Sequence, residues 1–162
     1  MAQVLINEVC SDNETIILDE FNESADWIEL YNSSDTEVDL TGWFLSDDSD
    51  DNFKWRFPEV SIGPNSFLII FASGRDIVDQ NIHTNFKLSK DGELLILSNS
   101  NYNEVYKLII PRIDEDFSYG QSNEGLLYFS MPTPNAPNNI EDAVRVASSC
   151  LLYTSPSPRD RG

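Results

Sequence analysis

The sequence predicts an all-β fold, an antiparallel β-sandwich, on three observations. Its apolar runs are short, and clusters of Gly, Pro, Asn, Asp and Ser separate them, the punctuation of tight turns. One run, Phe53-Lys54-Trp55-Arg56-Phe57, alternates with period two, which predicts Phe53, Trp55 and Phe57 on one face of a strand. No window of helical length repeats apolar residues at i, i+3, i+4 and i+7.

Each element follows from the same two signals. Residues 4–9 read as an opening strand, and residues 27–32 as a second that ends in Asn-Ser-Ser-Asp, a turn cluster. Val38 and Leu40 mark a short third piece and residues 43–46 a fourth; residues 53–57 follow an acidic loop. Gly63-Pro64-Asn65-Ser66 is a tight turn. Residues 67–72 form a continuous apolar run, which predicts a central strand buried on both faces. Residues 93–98 form another central candidate, Pro111 stops a strand over 105–110, and residues 126–129 are the last strand. Helix is confined to a short piece within 139–146 and a turn near 75–80.

Length and composition set the limits. A chain of 162 residues with 40% apolar and 11% aromatic residues forms one domain with a packed core. At this size about 70% of the unfolded surface is buried, so neither disulfides nor metals are needed to fold. Ten Lys and Arg face 28 Asp and Glu, a net charge of −18. Such a surface repels phosphate, which argues against nucleic acid and anionic membranes and favours basic partners. The two cysteines, Cys10 and Cys150, make no disulfide framework and are expected unpaired. The N-terminal residues have no basic n-region or apolar h-region, so they do not read as a signal peptide. The longest apolar runs fall far short of the ~20 residues that cross a bilayer, so no membrane insertion is expected. Nothing in the sequence sets an oligomeric state. The domain is placed at 1–139; residues 140–162, Ser/Pro-rich from Ala147 onward, read as a disordered or extraneous tail.

The ordered pieces together resemble the lamin tail domain family. They are Ile6-Asn7-Glu8-Val9, Asp26-Trp27-Ile28-Glu29-Leu30-Tyr31-Asn32, Val38-Asp39-Leu40-Thr41-Gly42-Trp43, Lys54-Trp55-Arg56-Phe57-Pro58, and His83-Thr84-Asn85-Phe86. Asp116-Phe117-Ser118-Tyr119-Gly120 and Pro132-Thr133-Pro134-Asn135-Ala136-Pro137-Asn138 close the set. The resemblance runs from Gln3 to Asn139, and the Asp-Trp-Ile-Glu-Leu-Tyr-Asn motif and the Thr-Pro-x-Ala-Pro-Asn ending look like the bacterial-type branch; no heptad pattern is present, so filament assembly is not implied. It implies an immunoglobulin-like sandwich without catalytic residues. It also implies an interaction module of a larger secreted or cell-surface protein, with a protein or surface partner and no cofactor.

His83 is the single histidine, no Gly-x-Ser-x-Gly elbow accompanies it, and it reads as structural. Cys10 sits among Glu8, Asp12 and Glu14, which disfavour a thiolate, so it reads as a packed thiol. Gly92, Gly120 and Gly125 are isolated turn glycines and form no phosphate cradle. The best ligand candidate is the loop 46–52. Asp48, Asp50 and Asn52 have the spacing that opens an EF-hand, with Glu59 at the twelfth position, which makes Ca2+ the candidate ion. Phe53 stands where that motif needs Gly, and Pro58 interrupts it, so the loop reads first as solvated acid. The alternative function is an extracellular carbohydrate- or calcium-binding accessory module. It requires exposed, coplanar rings from Trp43 and Trp55; burial of these residues points instead to the interaction module.

Overall fold

The computed structural model describes residues 3–144. Two antiparallel sheets face each other. The larger has seven strands in the order β13-β12-β11-β1-β2-β7-β8. They are β1 (Val4–Cys10), β2 (Asp26–Asn32), β7 (Phe67–Ala72), β8 (Ile82–His83), β11 (Ser118–Ser122), β12 (Gly125–Phe129) and β13 (Ala143–Val144). The smaller has the order β10-β9-β4-β5: β4 (Phe44–Ser46), β5 (Trp55–Arg56), β9 (Glu93–Ser98) and β10 (Glu104–Ile110). A two-stranded ribbon of β3 (Val38–Asp39) and β6 (Ser61–Ile62) stands beside them. All ladders are antiparallel except β7 with β8. The expected all-β sandwich is the observed fold.

The main core lies between the sheets. Val4, Ile6, Val9, Ile28, Leu30 and Ile70 meet Leu45, Trp55, Leu95, Leu97, Leu108 and Ile110 there, all buried. The spacing in β1 is informative. Val4 and Ile6 are two apart, but the next core residue is Val9, and the pairing with β2 shifts register between Ile6 and Glu8. A bulge absorbs the extra residue, returning Val9 to the core and turning Glu8 to the outer face.

That outer face is covered rather than solvated. Residues 11–25 cross it at one end, where Cys10, Trp27 and Phe71 pack with Ile16 and Ile17. Residues 130–139 cross it at the other, over Glu8 and Glu29. The cover explains why a charged residue in the middle of β2, Glu29, has no solvent exposure.

Four expectations are corrected. Phe53 does not share the face of Trp55 and Phe57; it lies in the turn before β5 and is 39% exposed. The strand at Phe67–Ala72 is buried only over its second half, because β8 beyond it is two residues long and leaves the first half beside an edge. Ser118–Ser122 is a strand that its polar composition hides. Residues 126–129 are not the last strand, since Ala143–Val144 pairs with β12 after a single 3-10 turn at Ile140–Asp142. Sheet pairing therefore continues past Asn139 to Val144, while residues 145–162, Cys150 among them, lie outside the described residues.

Candidate functional site

The acidic loop joins β4 to β5, and its first job is to build its own turn. Ser46 Oγ accepts from the Asp48 amide at 3.0 Å and donates to the Asp51 carbonyl at 2.5 Å. Asp48 Oδ1 accepts from the Asp50 amide at 2.9 Å, and Asp51 Oδ1 from the Phe53 amide at 3.1 Å. These are side-chain turns of the kind that Asp and Ser favour. Lys54 Nζ lies 2.8 Å from Asp47 Oδ1. Asp48 and Asp50 are exposed, Asn52 is half-buried, and Glu59 is exposed on the segment leading to β6. Asn52 Oδ1 is buried without a hydrogen-bond partner.

Against this loop stands a cluster of rings. Phe53 packs edge-on to Phe44 at 5.1 Å and to Tyr102 at 5.1 Å, and Tyr102 stacks on Phe44 at 5.3 Å. Tyr102 is 65% exposed. Beside them Thr41, Gly42, Arg56 and Ser100 complete a cleft of about 290 Å³. Trp55 by contrast is buried against Phe57 at 4.9 Å, and Trp43 is half-buried. A tryptophan platform for sugars is therefore not what this surface presents.

His83 is the second centre. It is fully buried on β8, in register with Phe71, whose ring stacks on it at 5.6 Å. Its Nε2 lies 2.8 Å from Glu20 Oε1 and its Nδ1 2.8 Å from Ser73 Oγ. Both oxygens of Glu20 accept bonds from Asn81, one from its amide and one from its side chain, each at 3.1 Å. Burial works against the charged Glu20, yet the bonds from Asn81, from its own backbone and from His83 outweigh it and hold the carboxyl at about 2. Asp19 precedes it; a carboxylate oxygen of Asp19, one of Glu20 and a ring nitrogen of His83 all lie within 4.8 Å of one another. Ser73 also lines a cleft of about 480 Å³ with Asp26 and Lys87. Nothing in the sequence marks the partners of His83: Glu20 reaches it from 63 residues away, and Ser73, ten residues before it, carries no motif.

The third centre is the covered carboxylate pair. Glu8 accepts from Ser118 Oγ at 2.5 Å and from the Thr133 amide at 3.0 Å. Glu29 accepts from Asn7 Nδ2 at 2.9 Å and from the Asn135 amide at 2.5 Å. Burial raises both carboxyls, Glu29 to about 7, while these donors pull the other way. Asn138 Nδ2 ties the same segment to the Asn7 and Gln121 carbonyls, at 2.9 and 2.8 Å. This centre has no opening to solvent and reads as a clasp. Burial likewise pushes the Cys10 thiol far above its usual value, so its packed reading agrees with its place in the fold.

Among the described residues, no helix is long and apolar enough to cross a membrane. The family model described as Lamin Tail Domain matches residues 2–109. No curated protein matches the chain.

Proposed function

Because the chain belongs to the lamin tail domain family, an immunoglobulin-like family of the interaction type, we propose that it docks a basic segment of a partner protein on its acidic–aromatic end, without catalysing a reaction. The observation that carries this reading is the pair of exposed rings, Phe53 and Tyr102, packed on each other at 5.1 Å where the acidic loop ends, with the Phe53 amide donating to Asp51 Oδ1. Rings supply apolar anchoring area with little entropy to lose, and the carboxylates supply complementarity to Lys and Arg. The resemblance to the bacterial branch supports a setting in a larger secreted or surface protein.

A Lys/Arg-rich peptide containing an aromatic residue, titrated into the full chain, should bind and weaken with salt. The double variant F53A/Y102A should lose that binding while keeping its melting temperature near the parent's. Equal binding by that variant would refute the reading. The Asn52 Oδ1 without a partner favours one second reading, a calcium-dependent glycan site; glycan binding that needs Ca2+ and Asp48 and Asp50 would put it first.

A further inference from the structure

The loop between β1 and β2 brings Asp19 and Glu20 against His83 at the far end of the large sheet, with their ligand atoms within 4.8 Å of one another. Carboxylates that gather in this way usually find amide donors or a cation. Glu20 finds both amide donors and the imidazole. Asp19 is only half served. Its Oδ1 accepts from the Phe21 and Glu23 amides, at 2.9 and 3.0 Å, and that shapes the loop. Its Oδ2 is buried with no hydrogen-bond partner, in a residue that is 6% exposed. An anionic oxygen left bare in the interior is costly unless something positive faces it. The guanidinium of Arg75 acts on Asp19 and Glu20 through space only; its direct contacts are the bridge to Glu23 at 2.5 Å and the Phe21 ring at 4.2 Å.

We infer that Asp19, Glu20 and His83 form a binding site for one divalent transition-metal ion of the Zn2+ class, with Asp19 Oδ2, a Glu20 oxygen and His83 Nε2 as its ligands. One imidazole and two carboxylates make a three-ligand donor set of the kind Zn2+ accepts, with a fourth position for water. The imidazole disfavours Ca2+ and Mg2+, which take oxygen alone. The surroundings match what such a site needs. With a metal on Nε2, Ser73 Oγ, 2.8 Å from Nδ1, would accept the Nδ1 proton, and Asn81 fixes Glu20 as an outer-shell partner. On binding, a proton on Nε2 is displaced, by transfer to Nδ1 in the neutral ring or to solvent from the cation. Phe71, stacked at 5.6 Å, and Phe21, tilted at 5.8 Å, flank the His83 imidazole. The ion would join the β1–β2 loop to β8, the short last strand of the sheet, and so fasten the sheet's edge.

The test is a titration of Zn2+ alone into the full chain, freed of metal beforehand, against a chromophoric chelator. One ion per chain is expected. Asp19→Asn keeps Oδ1 for the two amides and replaces only the bare oxygen, so its fold in chelator should match the parent's. Its affinity should fall by about tenfold or more, since even outer-shell changes are worth roughly 10–100-fold. Ser73→Ala, a positioning change, should weaken binding less than Asp19→Asn does. Asp48→Asn with Asp50→Asn should leave it unchanged. Co2+ in place of Zn2+ should give a visible absorption band that Asp19→Asn alters. No stoichiometric binding by the parent chain, or parental affinity in both Asp19→Asn and Glu20→Gln, would overturn the assignment; Asp19→Asn decides it even where His83→Gln does not fold.

Discussion

Glu8 and Glu29 stand directly opposite each other on β1 and β2, both without solvent exposure. Like charges in cross-strand register repel, and no ion pair involving either is present among the described residues. What holds them is a set of hydroxyl and amide donors from segments about a hundred residues away in sequence. Carboxylates buried in this way are specified by geometry rather than by charge balance.

The pH dependence of stability follows from this pair and two others. Burial lifts Glu29 from 4.5 to about 7, Asp26 from 3.8 to about 7, and Glu93 from 4.5 to about 7. A carboxyl raised in the folded state binds its proton more readily there than in the unfolded chain. Its contribution is therefore fully present below the unfolded value and is lost as pH rises through about 7. The melting temperature should climb as the buffer is taken from pH 8 to pH 5. Below that, Glu20, held at about 2, works the other way, and stability should fall as it protonates. A flat or inverted profile between pH 8 and pH 5 would contradict the burial of these groups, and Glu29→Gln should make the slope shallower.

Trp55 is 5% exposed and packs in the main core against Phe57. Trp55→Ala should destabilise the fold by about 3–5 kcal/mol. A denaturant midpoint close to the parent's would show the ring to be dispensable. Phe53→Ala, which removes a ring 39% exposed, should cost much less, and equal losses from the two would place Phe53 on the core face with Trp55.

Asn138→Ala removes the two bonds that tie the closing segment to the Asn7 and Gln121 carbonyls. Leaving such acceptors unpaired costs about 1–3 kcal/mol. Amide exchange at Thr133 and Asn135, which donate to the carboxylates beneath, should accelerate more than exchange in β9.

Ser73, His83 and Glu20 are connected in the order of a hydrolytic relay, but with the ring nitrogens exchanged relative to the serine-protease arrangement: Nδ1 faces the hydroxyl and Nε2 the carboxylate. Ser73 Oγ also accepts from the Arg75 amide at 3.2 Å. An activated ester offered to the chain should show no turnover that depends on Ser73. Hydrolysis abolished by Ser73→Ala would replace the interaction reading with an enzymatic one.

Much of this architecture is legible in the sequence, because period-two alternation and turn residues report local geometry. The strands at Val4–Cys10, Asp26–Asn32 and Glu93–Ser98 carry enough apolar residues to declare themselves. Ser118–Ser122 does not: its sequence is Ser-Tyr-Gly-Gln-Ser, and it is a strand because β1 and β12 pair with it on either side. Gly120 reads in sequence as a turn glycine. It is a strand residue in register with Glu8, where a side chain would run into the Asn7 carbonyl and the Asn138 amide. The acidic loop was visible as a charge run, whereas the contact between Phe53 and Tyr102 joins two loops remote in sequence. The cluster at His83 is hidden for the same reason, since Glu20 lies 63 residues from His83 along the chain.

The long reach of the clasp bears on how the chain is made. Translation delivers residues in order, at about 5–20 per second, so β1 and β2 leave the ribosome well before Ser118, Thr133 and Asn135 exist. In that interval Glu8 and Glu29 keep their water, and β1 offers the edge that β11 later occupies. The N-terminal hairpin cannot mature alone, and folding waits for nearly the whole chain, as expected where pairing is so distant in sequence. A product released after residue 109, the end of the family match, would lack the Ser118, Thr133 and Asn135 donors to Glu8 and Glu29 and would carry an open strand edge. Such a fragment would be a substrate for proteolysis or edge-to-edge association rather than a smaller working domain.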